Sequence, residues 1–258
     1  MLLNGVGDIF GGITVKSREN ADISDADAAT EALKASIKNW EEKGIQGVWF
    51  KVQNLASFWI PVLIREGFDF HHAQPGYAML TKWLPETKNT LPRYAFTTIG
   101  VGGLVVSSDG RVLLMKEKKG YYLGWKLPGG ASDPNESLYE TAEREVLEET
   151  GIRAKATHVL TFTHGERGWK NNMDIYFICV MKPTDESEME LKPCPRETAE
   201  CRWIERKEID GSNWGCGFPI QKVLQRYDGL KAAGNGKGCR AADIKFGTRL
   251  YQVYNVDV

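Results

Sequence analysis

The sequence lacks three features that would direct a chain to a membrane or to an oxidising compartment. It contains no run of about 18 apolar residues, so no membrane span is predicted. Residues 1–8 carry no basic side chain and no long apolar segment, so we expect neither a secretory signal nor an arginine-rich transit peptide. The five cysteines form no Cys-x-x-Cys pair, which favours reduced thiols over a disulfide framework or a zinc site. These absences predict a cytoplasmic protein without membrane contact.

The chain also lacks a large net charge of either sign. Its 258 residues include 33 lysines and arginines against 34 aspartates and glutamates, for a formal net charge of -1. No global field draws in a polyanion, so any nucleotide must be bound by a local site. A nucleotide-sized substrate is therefore predicted in preference to a long nucleic acid. The length allows one or two domains.

The first 91 residues alternate between strand and helix patterns. Four segments rich in β-branched and aromatic residues are predicted strands: residues 11–17, 48–52, 68–72 and 77–80. An amphipathic helix is expected from a Ser24 cap to Gly44, and a shorter helix ends before Gly67. The resulting order, β-α-β-α-β-β, predicts a small α/β domain. The adjacent His71 and His72 should point to opposite faces of their strand, and we interpret them as structural.

A polar, proline-bounded segment at residues 85–92 predicts a domain boundary. We therefore expect domains at residues 1–91 and 92–235, followed by a C-terminal tail at residues 236–258.

The second domain begins with a predicted β-hairpin. Residues 97–106 and 111–116 are extended runs on either side of Asp109-Gly110, a strong hairpin signal. Two later strands are expected, at residues 159–163 and 174–181. A late helix is predicted from the apolar spacing of four residues, Ile220, Val223, Leu224 and Tyr227.

A predicted helix at residues 136–150 concentrates carboxylates on one side. Apolar residues recur at every fourth position, and the helix formers stop at Gly151. Glu145, Glu148 and Glu149 stand at i, i+3 and i+4, so their side chains are neighbours. Like charges so placed repel one another unless cations hold them, and hard carboxylate oxygens suit Mg²⁺ or Mn²⁺. The alternative is a solvated acidic face on which Arg144 pairs with Glu148.

The same segment resembles the Nudix box, Gly-x5-Glu-x7-Arg-Glu-(aliphatic)-x-Glu-Glu-x-Gly-(aliphatic). It matches every fixed position of that pattern: Gly130, Glu136, Arg144, Glu145, Val146, Glu148, Glu149, Gly151 and Ile152. The flanking residues 127–130 and 200–204 are also similar to the superfamily. The resemblance implies an α/β/α sandwich with a mixed sheet, in which the box forms a loop, a helix and a second loop.

What the Nudix resemblance implies chemically is metal-dependent hydrolysis of a phosphoanhydride. By similarity, Glu145, Glu148, Glu149 and the main-chain carbonyl of Gly129 hold the Mg²⁺ or Mn²⁺ ions, while Arg144 orients a glutamate. Such ions neutralise phosphate oxygens and lower the pKa of bound water. Water attacking phosphorus would release two monophosphates.

The general base that accepts the remaining proton is open among several glutamates. Related families draw it either from the box or from a later loop. Outside the box the sequence offers three candidates, Glu166, Glu197 and Glu200. Arg202 stands before Trp203, where some related enzymes carry a glutamate, so their mechanism does not transfer directly.

Substrate-binding candidates combine cations and aromatic rings. Phosphate binding and base stacking are compatible with a cluster near the box: Lys116, Lys118, Lys119, Tyr121, Tyr122 and Trp125. An exposed turn explains the lysines equally well. Phe162, Trp169 and Trp203 could stack on a base, although aromatic residues in strands more often belong to the core.

Segments of the first domain are similar to the pre-Nudix domain of animal nucleoside diphosphate-linked moiety X motif 6 proteins and plant ADP-ribose and NADH pyrophosphatases. The similarity lies in residues 4–15, 47–51, 67–74 and 76–80. It implies an acetyltransferase-like α/β fold. No Arg/Gln-x-x-Gly-x-Gly loop is present to hold a coenzyme A pyrophosphate, so we expect no acetyl transfer.

Three functional hypotheses follow from these patterns. The first is an enzyme that hydrolyses ADP-ribose, NADH or a similar nucleotide. The second is a non-catalytic nucleotide sensor, or a protein whose first domain forms a homodimer. The third is a pyrophosphohydrolase of RNA ends, which the neutral net charge disfavours because RNA binding normally needs a basic stripe.

Overall fold

Separate hydrophobic cores divide the chain into a first unit, Met1–Ala95, and a second unit, Phe96–Val258. The computed structural model describes residues 1–120, 122–167, 172–210, 220–232, 238–246 and 249–256. No helix among these residues is long and apolar enough to span a membrane.

The first unit is a mixed β-sheet with two helices. Its elements are β1 (Gly5–Gly7), β2 (Gly12–Lys16), α1 (Ala26–Glu42), β3 (Gly47–Gln53), α2 (Trp59–Arg65), β4 (Asp69–Gln74) and β5 (Tyr77–Trp83). The strand order is β1-β2-β3-β5-β4, with β2 and β3 parallel and the other neighbours antiparallel. Val48, Phe50 and Val52 alternate along β3 and join the helices in one core. The predicted acetyltransferase likeness of this unit stays a prediction.

The second unit contains a larger mixed sheet with helices on both faces. Its elements are β6 (Thr97–Val105), β7 (Val112–Glu117), β8 (Gly129–Ala131), α3 (Leu138–Thr150), β9 (Ala154–Arg167), β10 (Asn172–Pro183), β11 (Thr198–Ile204), α4 (Arg206–Asp210), α5 (Ile220–Ala232), β12 (Cys239–Phe246) and β13 (Arg249–Val256). The main sheet has the order β13-β12-β9-β10-β6-β8, and β6 and β10 are parallel. A second sheet joins β11 to β7.

Alternate residues of the central strands pack into two hydrophobic cores on opposite faces of this sheet. Leu104 and Ile178 pack with residues of α5, whereas Val105 and Cys179 pack with Val146 of α3. This arrangement confirms the predicted α/β/α sandwich with a mixed sheet.

The Asp109-Gly110 turn is present, but it does not make the predicted hairpin. Gly110 has a φ of 87°, as such a turn requires. The two strands share a single bridge, between Val106 and Val112, and then separate. Strand β6 stays in the main sheet while β7 pairs with β11.

Two helix starts differ from their predicted positions. The carboxylate of Asp25, rather than the Ser24 hydroxyl, accepts the N–H groups that cap α1. Helix α3 begins after Ser137, not at Glu136, because Ser137 and Glu140 form a reciprocal capping box. Glu136 therefore lies outside the helix.

The C-terminal residues predicted to form a separate tail belong to the second unit where they are described. Strand β12 pairs with β13 and meets β9 at the Cys239 and Val159 pair. The Tyr254 hydroxyl accepts the Leu138 backbone N–H at 3.2 Å, at the start of α3. This segment thus supports the helix that carries the acidic face.

The expectation that His71 and His72 point to opposite faces is wrong. A β-bulge lies between Phe70 and His72, and it places the Nδ1 atoms of the two histidines 2.6 Å apart. His71 Nε2 is 2.9 Å from the Pro92 carbonyl oxygen, which can only accept. His71 therefore donates from Nε2, and His72 donates from Nδ1 to His71.

The end of α3 provides a test of the packing around the acidic helix. Gly151 has a φ of 78°, and a Cβ there would lie 2.6 Å from Lys192 Cβ. Gly110 has a φ of 87° with nothing within 4 Å of its own Cβ position. We expect Gly110→Ala to cost about 1 kcal/mol of unfolding free energy for left-handed strain. Gly151→Ala should cost roughly 1–3 kcal/mol more, for overpacking. Urea unfolding measures both, and equal losses would contradict the contact with Lys192.

Candidate active site

Arg144 of α3 is held by Glu136, the residue just before the helix cap. Its Nε lies 2.6 Å from Glu136 Oε1, and one of its terminal nitrogens lies 2.9 Å from Glu136 Oε2. The Asp133 backbone N–H and the Thr141 hydroxyl also donate to this carboxylate. Hydrogen bonding to Arg144 lowers the pKa of Glu136 to about 2, and the same bond raises the pKa of Arg144.

The guanidinium of Arg144 also reaches the acidic face of the helix. It lies 2.8 Å from a carboxylate oxygen of Glu145 and 3.3 Å from one of Glu148. A further N–H donates to the Ala131 carbonyl of β8 at 3.1 Å. One cation therefore connects the helix to the glycine-containing strand beside it.

Two carboxylates lie directly against the Gly129–Ala131 strand. Glu149 Oε2 accepts the Gly129 backbone N–H at 2.7 Å. A Cβ on Gly130 would be 2.4 Å from Glu145 Oε1, so a side chain there would displace the Glu145 carboxylate. Gly129 itself has a φ of 152°, and a Cβ on it would meet the Val101 carbonyl oxygen at 2.2 Å. We call Gly129 and Gly130 the glycine strip. Glu145 lies against Gly130, and Glu149 is hydrogen-bonded to Gly129.

The three acidic residues of the helix differ in exposure. Glu149 is 6% exposed, whereas the Glu148 side chain is 57% exposed. Burial raises the pKa of Glu149 to about 7, against the opposing effects of Lys126 and the Gly129 N–H. Burial also raises the pKa of Glu145. Within the described residues, no three His, Cys, Asp or Glu side chains form a group that could hold a metal ion. Arg144 contacts Glu145, and the Gly129 N–H contacts Glu149.

Two charged residues that act on Glu149, Lys126 and Glu117, were not predicted from the sequence. Lys126 forms two backbone hydrogen bonds with Met115, each 2.9 Å, and its ammonium group pairs with Glu117 of β7. Lys126 lowers and Glu117 raises the pKa of Glu149. Only the position of Lys126 just before Leu127-Pro128-Gly129 could have indicated it.

Two of the three base candidates outside the box, Glu197 and Glu200, lie on or beside β11, whereas Glu166 lies on β9. Glu200 is paired with Lys116 at 3.2 Å. Glu197 is exposed, and the next residue, Thr198, donates from its hydroxyl to the Glu149 carbonyl at 2.9 Å. The side chain of Glu166 is outside the described residues. The start of β11 is therefore attached to the end of the acidic helix.

Two substrate-binding candidates, Lys116 and Trp125, contact each other, whereas a third, Phe162, lies on β9. Lys116 Nζ lies 4.4 Å from the centre of the Trp125 ring, and Arg202 lies 5.8 Å from that centre. Phe162 is 59% exposed and packs against Phe177 with ring centres 5.5 Å apart, so the core assignment preferred for it is wrong.

The remaining substrate-binding candidates lie in the core, on an exposed turn or outside the described residues. Trp203 packs against the core and donates to the Met189 carbonyl, as a core residue would. Lys118 and Lys119 are exposed on the turn after β7. Tyr121 and Trp169 lie outside the described residues.

Comparison with known proteins gives consistent matches over both units. A Nudix hydrolase domain model matches residues 3–84, and a NUDIX domain model matches residues 97–221. Nudix hydrolase 7 of Arabidopsis thaliana is 34% identical over 218 residues, covering 83% of this chain and 75% of the relative.

Two further relatives extend the comparison. Nudix hydrolase 2 of Arabidopsis thaliana is 30% identical, covering 92% of this chain and 84% of its own length. Human nucleoside diphosphate-linked moiety X motif 6 is 36% identical, covering 80% of this chain and 66% of its own length. The sandwich fold and the acidic helix together define a nucleotide pyrophosphatase domain. The chain belongs to the Nudix hydrolase family.

The Glu136 and Arg144 pair predicts a specific pH dependence of stability. The pKa of Glu136 is about 2 in the folded protein, below the ordinary value of 4.5. The stabilisation is therefore complete above about pH 4.5 and is lost as the pH falls towards 2. We expect Glu136→Gln to lower the unfolding free energy by about 1–2 kcal/mol at pH 7, and by much less at pH 2.5.

Urea unfolding at pH 7, 4 and 2.5 measures this difference. Glu188→Gln, at an exposed glutamate, is the control and should show no such trend. A Glu136→Gln deficit that is constant over the whole pH range would contradict the assigned charge pairing.

Proposed function

We propose that the protein hydrolyses the diphosphate bond of a nucleoside diphosphate linked to another moiety, such as ADP-ribose or NADH, with Mg²⁺ or Mn²⁺. The products would be two monophosphates. The observation that carries the proposal is the buried Glu149 carboxylate, 2.7 Å from the Gly129 N–H, beside Glu145 at Gly130. Family membership supplies the reaction class.

The chemical type of the donors suits a divalent ion. Glu145, Glu148 and Glu149 provide hard carboxylate oxygens on one side of α3, and Glu149 contacts the Gly129 backbone through its N–H. Glu149 is buried with its pKa raised, so a nearby cation would stabilise its ionised form. These three carboxylates and the Gly129 carbonyl would hold the metal. When bound, the ions would neutralise phosphate oxygens and lower the pKa of a coordinated water.

The surrounding residues have positioning roles in this proposal. Glu136 anchors Arg144, and Arg144 restrains Glu145 and Glu148 before metal arrives. The attacking water must lose a proton, and Glu197 and Glu200 are our candidates for accepting it. The hydroxyl contact of Thr198 with the Glu149 carbonyl supports the choice, because it ties this segment to the helix.

The nucleoside end of the substrate is assigned to aromatic surfaces of the second unit. Trp125, with Lys116 above its ring, offers both a stacking face and a positive charge for phosphate. Phe162 offers an exposed ring on β9. These assignments rest on exposure and charge.

A nucleotide panel tests the proposal. Purified protein with Mg²⁺ or Mn²⁺ should release monophosphates from at least one nucleoside diphosphate conjugate. Glu149→Gln should lower turnover at least about 100-fold while leaving the fold intact. The matched control is Glu143→Gln, on the same helix, because Glu143 instead pairs with Lys155.

Other outcomes would redirect the proposal. Nucleotide binding without turnover across the panel would favour the sensor hypothesis. Hydrolysis confined to capped or triphosphorylated RNA would favour the RNA-end hypothesis. Full activity of Glu149→Gln would remove Glu149 from the reaction.

The proposal places all of this chemistry in the second unit and leaves dimerisation as a role for the first. A chain that begins at residue 92 should fold and retain hydrolysis, because the described site residues all lie beyond Phe96. Sedimentation of the full chain and the shortened chain tests the homodimer. Loss of folding in the shortened chain would contradict the boundary.

A further inference from the structure

A cavity of about 640 Å³ lies in the first unit, within residues 8–92. Its lining includes Phe10, Trp49 and Trp83, together with Asp8 and Leu91. That volume falls within the range of small-molecule sites. The residues of the proposed hydrolytic site contribute nothing to this lining. The cavity is therefore a candidate binding site for a second ligand, separate from the hydrolytic site.

The floor of the cavity includes two glycines at the same level of neighbouring strands. Gly12 of β2 and Gly47 of β3 are register partners, and Trp83 of β5 is the partner of Gly47 on the other side. A Cβ on Gly47 would lie 2.6 Å from Leu91 Cδ2, and one on Gly12 would lie 2.5 Å from Asp8 Oδ2. The Leu91 and Asp8 side chains thus lie directly over the two glycines and form part of the cavity wall.

The aromatic walls are partly held in place. Trp83 Nε1 donates to the Thr87 carbonyl at 3.1 Å, and Trp49 makes an edge contact with His71 at 4.8 Å. Both tryptophans are half-buried, while Phe10 is 81% exposed at the rim. Aromatic side chains that line a cavity can attract an organic cation through their rings.

The charge around the cavity favours the same ligand class. Asp8 is the one charged residue of the lining, and its Oδ1 accepts the N–H groups of Phe10 and Gly12 at 2.8 Å. No lysine or arginine lines the cavity in the first unit, all of which is described. The nearby Lys51 lies over Tyr77, and Lys82 donates to the Glu66 carbonyl at 2.5 Å. A phosphate group would find no cation here.

We propose that this cavity binds an organic cation of the quaternary or methylated ammonium class. Phe10, Trp49 and Trp83 supply the aromatic surface, and Asp8 supplies the negative charge. The cation could be a free small molecule or the methylated side chain of a peptide, and the two share the recognised group.

Binding to the full-length protein tests the proposal with choline as the probe. Its uncharged isostere, 3,3-dimethyl-1-butanol, has the same shape without the charge. Ligand-observed NMR titration should show saturable choline binding at least about fivefold tighter than that of the alcohol. A short trimethyllysine peptide, compared with choline, separates the two sources of the cation. Tighter binding of the peptide assigns the site to a side chain, and tighter binding of choline assigns it to a free ligand.

Variants identify where the probe binds. Asp8→Asn keeps the side-chain oxygen that accepts the Phe10 and Gly12 N–H groups but removes the negative charge. It should therefore abolish the preference for choline over the alcohol. Trp83→Phe should weaken choline binding several-fold, while Asp22→Asn, at an exposed acid elsewhere in the unit, should change neither. Equal binding of choline and the alcohol, or no saturable binding of choline and the peptide, would overturn the proposal. Hydrolysis by the second unit is unaffected by either result.

Discussion

The contact between the acidic face of α3 and the glycine strip Gly129-Gly130 is the constraint on which the site depends. Glu149 reaches the backbone N–H of Gly129, and Glu145 lies where any side chain on residue 130 would be. The close packing of this strand requires glycine at residue 129, where a Cβ would meet the Val101 carbonyl oxygen at 2.2 Å. The sandwich fold supplies this strand, since β8 pairs with β6 at the edge of the sheet that α3 covers.

That contact creates an electrostatic problem, which Arg144 partly solves. Three carboxylates on one helix face repel one another, and burial makes ionisation of Glu149 and Glu145 harder. Arg144 offsets the charge of Glu145 and Glu148, while Glu136 holds Arg144 in place. Glu149 accepts the Gly129 N–H and is affected by the charge of Lys126, but burial outweighs both and raises its pKa. We infer that divalent ions complete the charge balance.

The sequence predicted what depends on local pattern and missed what depends on distant pairing. Helix α3, its stop at Gly151 and the sandwich class all follow from periodicity and the Nudix box. The ion pair between Lys126 and Glu117 does not follow from the sequence, because it depends on the backbone hydrogen bonds between Lys126 and Met115. The bulge that joins His71 to His72 and the split of the expected hairpin are likewise set by neighbouring strands. Local sequence carries little information on either.

A crystal soaked with Mn²⁺ and a non-hydrolysable nucleotide conjugate tests the central claim most directly. The account predicts anomalous scattering from manganese bound by carboxylates of Glu145, Glu148 and Glu149, next to the diphosphate. Arg144 should then have given up at least one of its contacts with Glu145 and Glu148. A nucleotide bound elsewhere, with these carboxylates free of metal and still held by Arg144 and Gly129, would contradict it.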